Sequence, residues 1–223
     1  MAVQFVRPYR FSGPQQVQMA VTGIVAPAGA SFVEGIPYAN GALLRFSSDE
    51  FFRLGEIGIF NEGDRVELVD GEIIQMTPVG SSHSACVHRL VRFLTSRVGQ
   101  AVVRGQDVLL LPNGYNPFPD VLVARPRDDD YESGHPTHED ALFVVEVAAS
   151  SLRYDRRVKT EWYAQAAIPE YWLVDLRRKS VTVHQDPVAG EYHRQQVYGR
   201  GEWWVSAALG GLQMPVSVLF RPS

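Results

Sequence analysis

A mixed α/β fold (α+β mixed), with a mixed β-sheet flanked by a few helices and β-hairpins attached at both ends, is what this sequence predicts. Three observations predict it. Apolar residues recur at helical spacing from Ser81 to Arg97, a continuously apolar run spans Leu142 to Ala148, and short β-branched runs separated by turn residues surround both. With 223 residues and 45% hydrophobic content, the chain can bury roughly 70% of its unfolded surface around one core. A single domain over 43–223 is therefore expected. Residues 1–42, rich in Gly, Pro, Ala and Gln without sustained periodicity, read as an irregular N-terminal arm.

The elements follow in order. Ser47-Ser48-Asp49-Glu50 forms a capping box ahead of Phe51, Phe52 and Leu54, which starts a short helix. Arg65 to Asp70 and Glu72 to Met76 read as strands around Asp70-Gly71, a dipeptide that supplies the positive φ angles of a tight hairpin. Ala85, Val87, Leu90, Val91, Leu94 and Val98 define the main core helix, with serines before it and Gly99 after it. Val102-Val103, Val108 to Leu111 and Val121 to Ala124 read as strands broken by the turn-rich segment 112–117. Leu142 to Ala148 lacks polar alternation, so it belongs at a central position buried on both faces. Arg153 to Ala167 reads as a helix stopped by Ile168-Pro169, and Tyr171 to Asp175, Ser180 to Gln185 and Glu191 to Tyr198 complete the sheet.

Composition narrows the class of protein. The one cysteine, Cys86, excludes an internal disulfide and fits a reducing compartment, where it serves as a small buried hydrophobe. No apolar run reaches the ~20 residues of a membrane span, and Met1 to Arg10 lacks the apolar stretch of a signal peptide, so a soluble cytoplasmic protein is expected. A net charge of −4 argues against tight sequence-independent binding to nucleic acid. It leaves room for a nuclease, whose acidic centre repels DNA until a divalent cation enters.

Three residues carry the chemical signal. Of 21 basic residues only two, Lys159 and Lys179, are lysines, and only an ammonium is a compact charge whose pKa its surroundings can move. Lys159 either supplies an amine or forms an i,i+4 salt bridge with Asp155. Pro119-Asp120 places a carboxylate at the start of a strand, where proline is tolerated. Glu146 interrupts the most apolar strand and must be neutral, hydrogen-bonded or bound to a cation. If the two strands pair, the carboxylates approach to ~4 Å and repel by about 4 kcal/mol at an effective dielectric near 20. A divalent cation removes that cost, and hard oxygen ligands suit Mg²⁺ or Mn²⁺. The alternative is that Asp120 caps a turn and Glu146 pairs with an interior arginine.

Pro119-Asp120 followed by a strand-borne Glu146 resembles the restriction-endonuclease-like superfamily written PD-(D/E)XK, and more specifically its Uma-two branch of restriction endonucleases. The resemblance runs from Leu44 to the C-terminus. It rests on residues 65–73 (RVELVDGEI), His83, Pro119-Asp120-Val121, residues 144–148 (VVEVA), Asp155 with Lys159, and residues 168–175 (IPEYWLVD). It implies a divalent-metal-dependent phosphodiesterase fold, with Asp120 and Glu146 as metal ligands and Glu67 as a supporting acid beside the metal. His83 is implied as a contact to the phosphate or to Glu67, or as a satisfied helix-terminal histidine. One position departs from the superfamily pattern: the lysine of Glu-x-Lys would stand at 148, which is alanine. The resembling branch carries a lysine on the following helix, matched by Lys159.

What the resemblance implies is a bacterial-type endonuclease that hydrolyses duplex DNA with Mg²⁺ through a metal-activated water, with Lys159 orienting that water or offsetting charge on the phosphorane. A homodimer follows by analogy, since one site per chain must cut two strands. The competing reading is a nuclease-fold scaffold without useful activity, acting as a nucleic-acid-binding or protein-interaction module. Arg153, Arg156 and Arg157 either track a phosphate backbone or form a solvated helix face. His135 and His138 read as solvated, and Trp162, Tyr163 and Trp172 as core.

Overall fold

In the computed structural model of the chain, residues 31–33, 36–39, 42–43, 45–61, 64–76, 79–112, 114–148 and 158–220 are described. They fall into two compact units, Met1–Pro78 with Asn113–Pro117, and Val79–Pro112 with Phe118–Ser223. The first holds a three-stranded antiparallel sheet of β1 (Ser31–Val33), β2 (Ile36–Ala39) and β3 (Ala42–Leu43). These strands lie within the stretch expected to be irregular. None is longer than 4 residues, too short for a period of two to stand out in the sequence.

In the same unit α1 (Ser48–Glu56) starts at Ser47, whose Oγ accepts from the Glu50 N–H at 3.3 Å while the Ser47 N–H donates to Glu50 Oε2 at 2.8 Å. Both halves of the capping box are present. The helix buries Phe51 and Leu54, and Leu54 packs with Ile59 against Phe46, Phe60 and Ile73. β4 (Val66–Val69) and β5 (Glu72–Gln75) form the hairpin expected around Asp70-Gly71. Asp70 and Gly71 have φ of 49° and 75°, the two left-handed residues of a type I′ turn. The Phe46 N–H donates to the Gly71 carbonyl at 2.8 Å, tying the chain ahead of α1 to the turn.

The second unit is built on a six-stranded sheet of order β11-β10-β9-β8-β7-β6. Its strands are β6 (Val102–Gly105), β7 (Val121–Ala124), β8 (Ala141–Ala148), β9 (Glu170–Asp175), β10 (Ser180–Val188) and β11 (Glu191–Tyr198). Only β8 and β9 run parallel, so the sheet is mixed as expected. Their connection carries α3 (Thr160–Gln165). The apolar run of β8 does occupy a central position.

Strand alternation divides the sheet into two faces. Val121, Val123, Phe143, Val145, Val147, Trp172, Val174, Val181 and Val183 share one core with Cys86, Val87, Leu90 and Leu94 of α2 (Ser81–Thr95). A C-terminal hairpin of β12 (Trp203–Ser206) and β13 (Leu212–Pro215), absent from the strands read in the sequence, adds Trp204 and Met214 to that core. Trp172 stacks on Phe143 at 4.2 Å between centroids and meets Trp204 edge-on at 5.1 Å. The intervening residues of β8, Val144, Glu146 and Ala148, face the other way.

One expected strand is not a strand. Val108 to Leu111 makes a single parallel bridge, Leu110 with Thr137, although Val108 and Leu109 are buried. Asp107 turns back to accept the Val108 N–H at 2.7 Å, and Pro112 ends the run, so its apolar side chains are buried without a ladder. No helix among the described residues is long and apolar enough to cross a membrane.

The hairpin turn yields a test of the first unit. A Cβ on Gly71 would sit in a left-handed residue and meet the Arg45 side chain, with the Arg45 Cα at 3.1 Å. Gly71→Ala is expected to lose about 1–3 kcal/mol in urea unfolding. A loss within a few tenths of a kcal/mol would contradict the close approach.

Candidate active site

Asp120 stands just before the first residue of β7, opposite Glu146 if the Val121 to Val145 register is continued by one residue. Its Oδ2 accepts the Val147 N–H at 2.9 Å, so the carboxylate takes the place of a strand carbonyl where β7 has not yet begun. The same oxygen lies 2.9 Å from His83 Nε2 on α2. Since a carboxylate only accepts, the His83 Nε2–H donates. Gln106, just beyond β6, completes the set: its N–H donates to the Asp120 carbonyl at 3.1 Å and its side-chain amide to Oδ1 at 3.3 Å. Gln106 has φ of 53°, a left-handed conformation uncommon for a residue other than glycine, and that conformation turns its side chain toward the site.

Glu146 is satisfied by the helix that follows β8. Lys159, at the start of α3, donates from Nζ to Glu146 Oε1 at 2.9 Å, and the Tyr163 hydroxyl donates to the same oxygen at 2.7 Å. Lys159 is 2% exposed and Glu146 4% exposed. Lys159 and Tyr163 are four residues apart, which places both side chains on the helix face turned to the strand. Water cannot screen this pair, so each charge depends on the other.

Asp120, His83, Glu146 and Lys159 thus form two linked clusters in the second unit, joined through the backbone of Val147. Glu67 lies on β4 in the first unit, where it is buried. His83 bonds to Asp120, a partner not among those the sequence offered. Asp155, Arg153, Arg156 and Arg157 lie outside the described residues. His135 is exposed and His138 half-buried, while Trp162, Tyr163 and Trp172 are buried. Tyr163, read from the sequence only as a core residue, and Gln106 were not anticipated as site residues. A tyrosine at the spacing of one helical turn from Lys159 was the only signal for the first, and nothing local marked the second.

Cys86 sits one turn beyond His83 on α2 and is fully buried. Burial pushes its thiol up from 9.0 to about 12; Arg89 lowers it and the Asp120 charge raises it further. Because the folded value is the higher, the thiol's contribution to stability is intact below pH 9 and fades as pH rises toward 12.

Comparison with known proteins gives two findings. The family described as Uma2, putative restriction endonuclease, matches residues 48–217. Among solved structures, a putative nuclease belonging to DUF820 from Anabaena variabilis ATCC 29413 superposes with a TM-score of 0.62 at 18% identity, covering 78% of this chain and 97% of that chain. That likeness is one of fold. No curated protein matches the chain.

Two outcomes follow from the geometry. In a double-mutant cycle of Glu146→Gln and Lys159→Met, each single change is expected to cost about 3–5 kcal/mol and the pair to couple by about 1–3 kcal/mol in urea unfolding. Additive effects would show that the two do not pair in solution. Iodoacetamide at neutral pH should leave Cys86 unmodified in the native protein and label it fully in urea; rapid labelling of the native chain would contradict its burial.

Proposed function

The chain belongs to the Uma2 family of putative restriction endonucleases, and from that premise we propose that it is a divalent-metal-dependent endonuclease hydrolysing phosphodiester bonds of duplex DNA. Asp120 and Glu146 would hold Mg²⁺ or Mn²⁺. The donor set fits such an ion. Magnesium keeps several waters and is typically bound by one or two carboxylates and substrate phosphate, so it needs no complete protein cage. Among the described residues no group of three or more His, Cys, Asp or Glu side chains forms such a cage. Asp120 and Glu146, at opposed positions of neighbouring strands when the register is continued, are the two carboxylates that would meet the smaller requirement. Asp120 Oδ1 carries only the 3.3 Å contact from Gln106, which a stronger acceptor interaction can replace.

The ion, when bound, supplies Lewis-acid polarisation of a phosphate oxygen and acidifies water. The remaining work falls to this chain's side chains. Lys159 holds a compact positive charge at Glu146 Oε1, where it offsets the negative charge that grows on the phosphoryl oxygens. Tyr163 fixes the glutamate rotamer by occupying the same oxygen. His83 and the Val147 N–H fix Asp120. Burial on β8 and α3 keeps bulk water from screening these charges.

The observation that carries this reading is the Lys159 to Glu146 contact. In the superfamily pattern the amine stands two residues after the glutamate, and in a strand that position shares the glutamate's face. Here that position is Ala148, and Lys159 brings an ammonium to the same face from the next helix. Cleavage of both strands by a homodimer with one site per chain follows from the same reading. The scaffold alternative draws on the net charge of −4 and on the mutual neutralisation of Glu146 and Lys159.

The test separates metal binding from chemistry. Mg²⁺ or Mn²⁺ should raise the melting temperature of the parent and nick supercoiled plasmid, and Asp120→Asn should abolish both effects. Lys159→Arg should keep the metal-dependent rise yet lose on the order of a hundredfold in cleavage rate, about 3 kcal/mol, because a planar guanidinium cannot reproduce the compact charge. A parent that neither responds to metal nor cuts plasmid would leave the scaffold reading. An active Lys159→Arg would remove the amine from the mechanism.

A further inference from the structure

A further feature of the second unit lies one residue along α2 from His83. A cavity of about 430 Å³ is lined by Ser81, Ser82 and Arg89 of α2, by Leu176 and Lys179 of the β9 to β10 turn, and by Phe220. Two cationic side chains and two hydroxyls line it together with three apolar side chains, Ala85, Leu176 and Phe220. The turn itself carries three consecutive basic residues, Arg177, Arg178 and Lys179, all exposed. The acid beside them is committed elsewhere: Asp175 is buried, and its Oδ1 accepts the N–H groups of Arg177 and Arg178 at 2.9 Å each, while Oδ2 lies 3.9 Å from the Arg178 guanidinium. Arg89 is anchored by donation from Nε to the Leu219 carbonyl at 3.0 Å, which holds its guanidinium at the cavity wall.

We propose that this cavity binds a backbone phosphate of the nucleic acid next to the one positioned at Asp120. The inference rests on the nuclease reading and adds the place where the strand is held. Each successive phosphate carries a negative charge, so a strand that presents one phosphate to an acidic centre brings its neighbours against the adjoining wall. In a chain of net charge −4 that wall must be locally basic to be tolerated. Lysine, arginine and serine are residues that contact phosphate and fix register without reading sequence. Leu176 and Phe220 supply apolar surface for the sugar between phosphates. Ser82 precedes His83, whose ring bonds Asp120, so the cavity and the carboxylate are spanned by one turn of helix.

The choice of variant follows from the backbone. Lys179 has φ of 52°, which asparagine and aspartate adopt more readily than most residues, so Lys179→Asn and Lys179→Asp change the charge without straining the turn. Binding of the full chain to a short fluorescein-labelled duplex is measured by anisotropy over a series of salt concentrations in EDTA, alongside plasmid nicking in Mg²⁺. Both variants are expected to keep the parent melting temperature, to bind more weakly on every duplex sequence, and to lower the salt slope by about one. Lys179→Asp should be the weaker binder of the two. A parent that nicks plasmid while both variants keep its affinity and slope would overturn the phosphate cavity and leave the nuclease intact. A parent that binds with a Lys179-dependent slope but never nicks would retain the cavity and dismiss the nuclease. A parent that neither binds nor nicks would overturn both.

Discussion

An ionised carboxylate in the middle of an otherwise apolar central strand constrains everything around it. β8 is flanked by β7 and β9 and buried along nearly its whole length, so Glu146 cannot reach solvent without breaking the sheet. Left alone there, its charge would cost several kcal/mol, more than a domain of marginal stability can spare at one residue. The chain after β8 is therefore obliged to return a cation to the same face, and α3 does so with Lys159 and adds the Tyr163 hydroxyl. The register of β8 is specified by the same requirement. A slip of one residue would turn Glu146 toward Cys86, Val87 and Leu90 on α2, where the surrounding core is apolar, and would turn Val145 and Val147 toward the lysine.

Asp120 solves a different problem with the same functional group. Ahead of the first residue of β7, β8 continues, and the Val147 N–H is left beyond the carbonyls of its neighbour; the Asp120 carboxylate accepts it. That single side chain also gathers α2 through His83 and the end of β6 through Gln106. Three elements converge on one carboxylate because Pro119 halts the preceding chain and delivers Asp120 at the strand's mouth. A residue held from three elements has its side chain fixed by the fold itself. Its two oxygens are used unequally: Oδ2 is engaged twice, by His83 and the Val147 N–H, and Oδ1 by the Gln106 amide.

Much of this architecture was legible because local signals and tertiary demands agree. Ser47 and Glu50 cap a helix, Asp70-Gly71 turns a hairpin, the period of 3.6 builds α2, and unbroken apolarity puts β8 at the centre. The failures have physical causes of their own. Val108 to Leu111 is as apolar as a strand because it is buried, yet Asp107 and Pro112 deny it a ladder, and burial alone does not distinguish the two. β1 to β3 are too short to carry a period. At the site, the sequence could nominate charged residues by their rarity or their apolar surroundings, as with Lys159 and Glu146, but not their partners. Gln106 and the His83 to Asp120 bond depend on where α2 and the end of β6 come to rest, and 14 to 37 residues of chain separate those groups.

The scarcity of lysine gains a physical account from its two locations. At 159 the side chain enters a buried space in which its ammonium and the Tyr163 hydroxyl both donate to one oxygen of Glu146. A point-like ammonium donates to that oxygen without the planar fork of donors that a guanidinium would bring. At 179 the constraint is reversed, since the residue is exposed on a turn and follows two arginines whose backbone N–H groups are fixed by Asp175. The first lysine is imposed by packing around Glu146. The second has no such requirement from the fold, so its charge at the cavity rim is the feature of this turn that folding alone leaves unexplained.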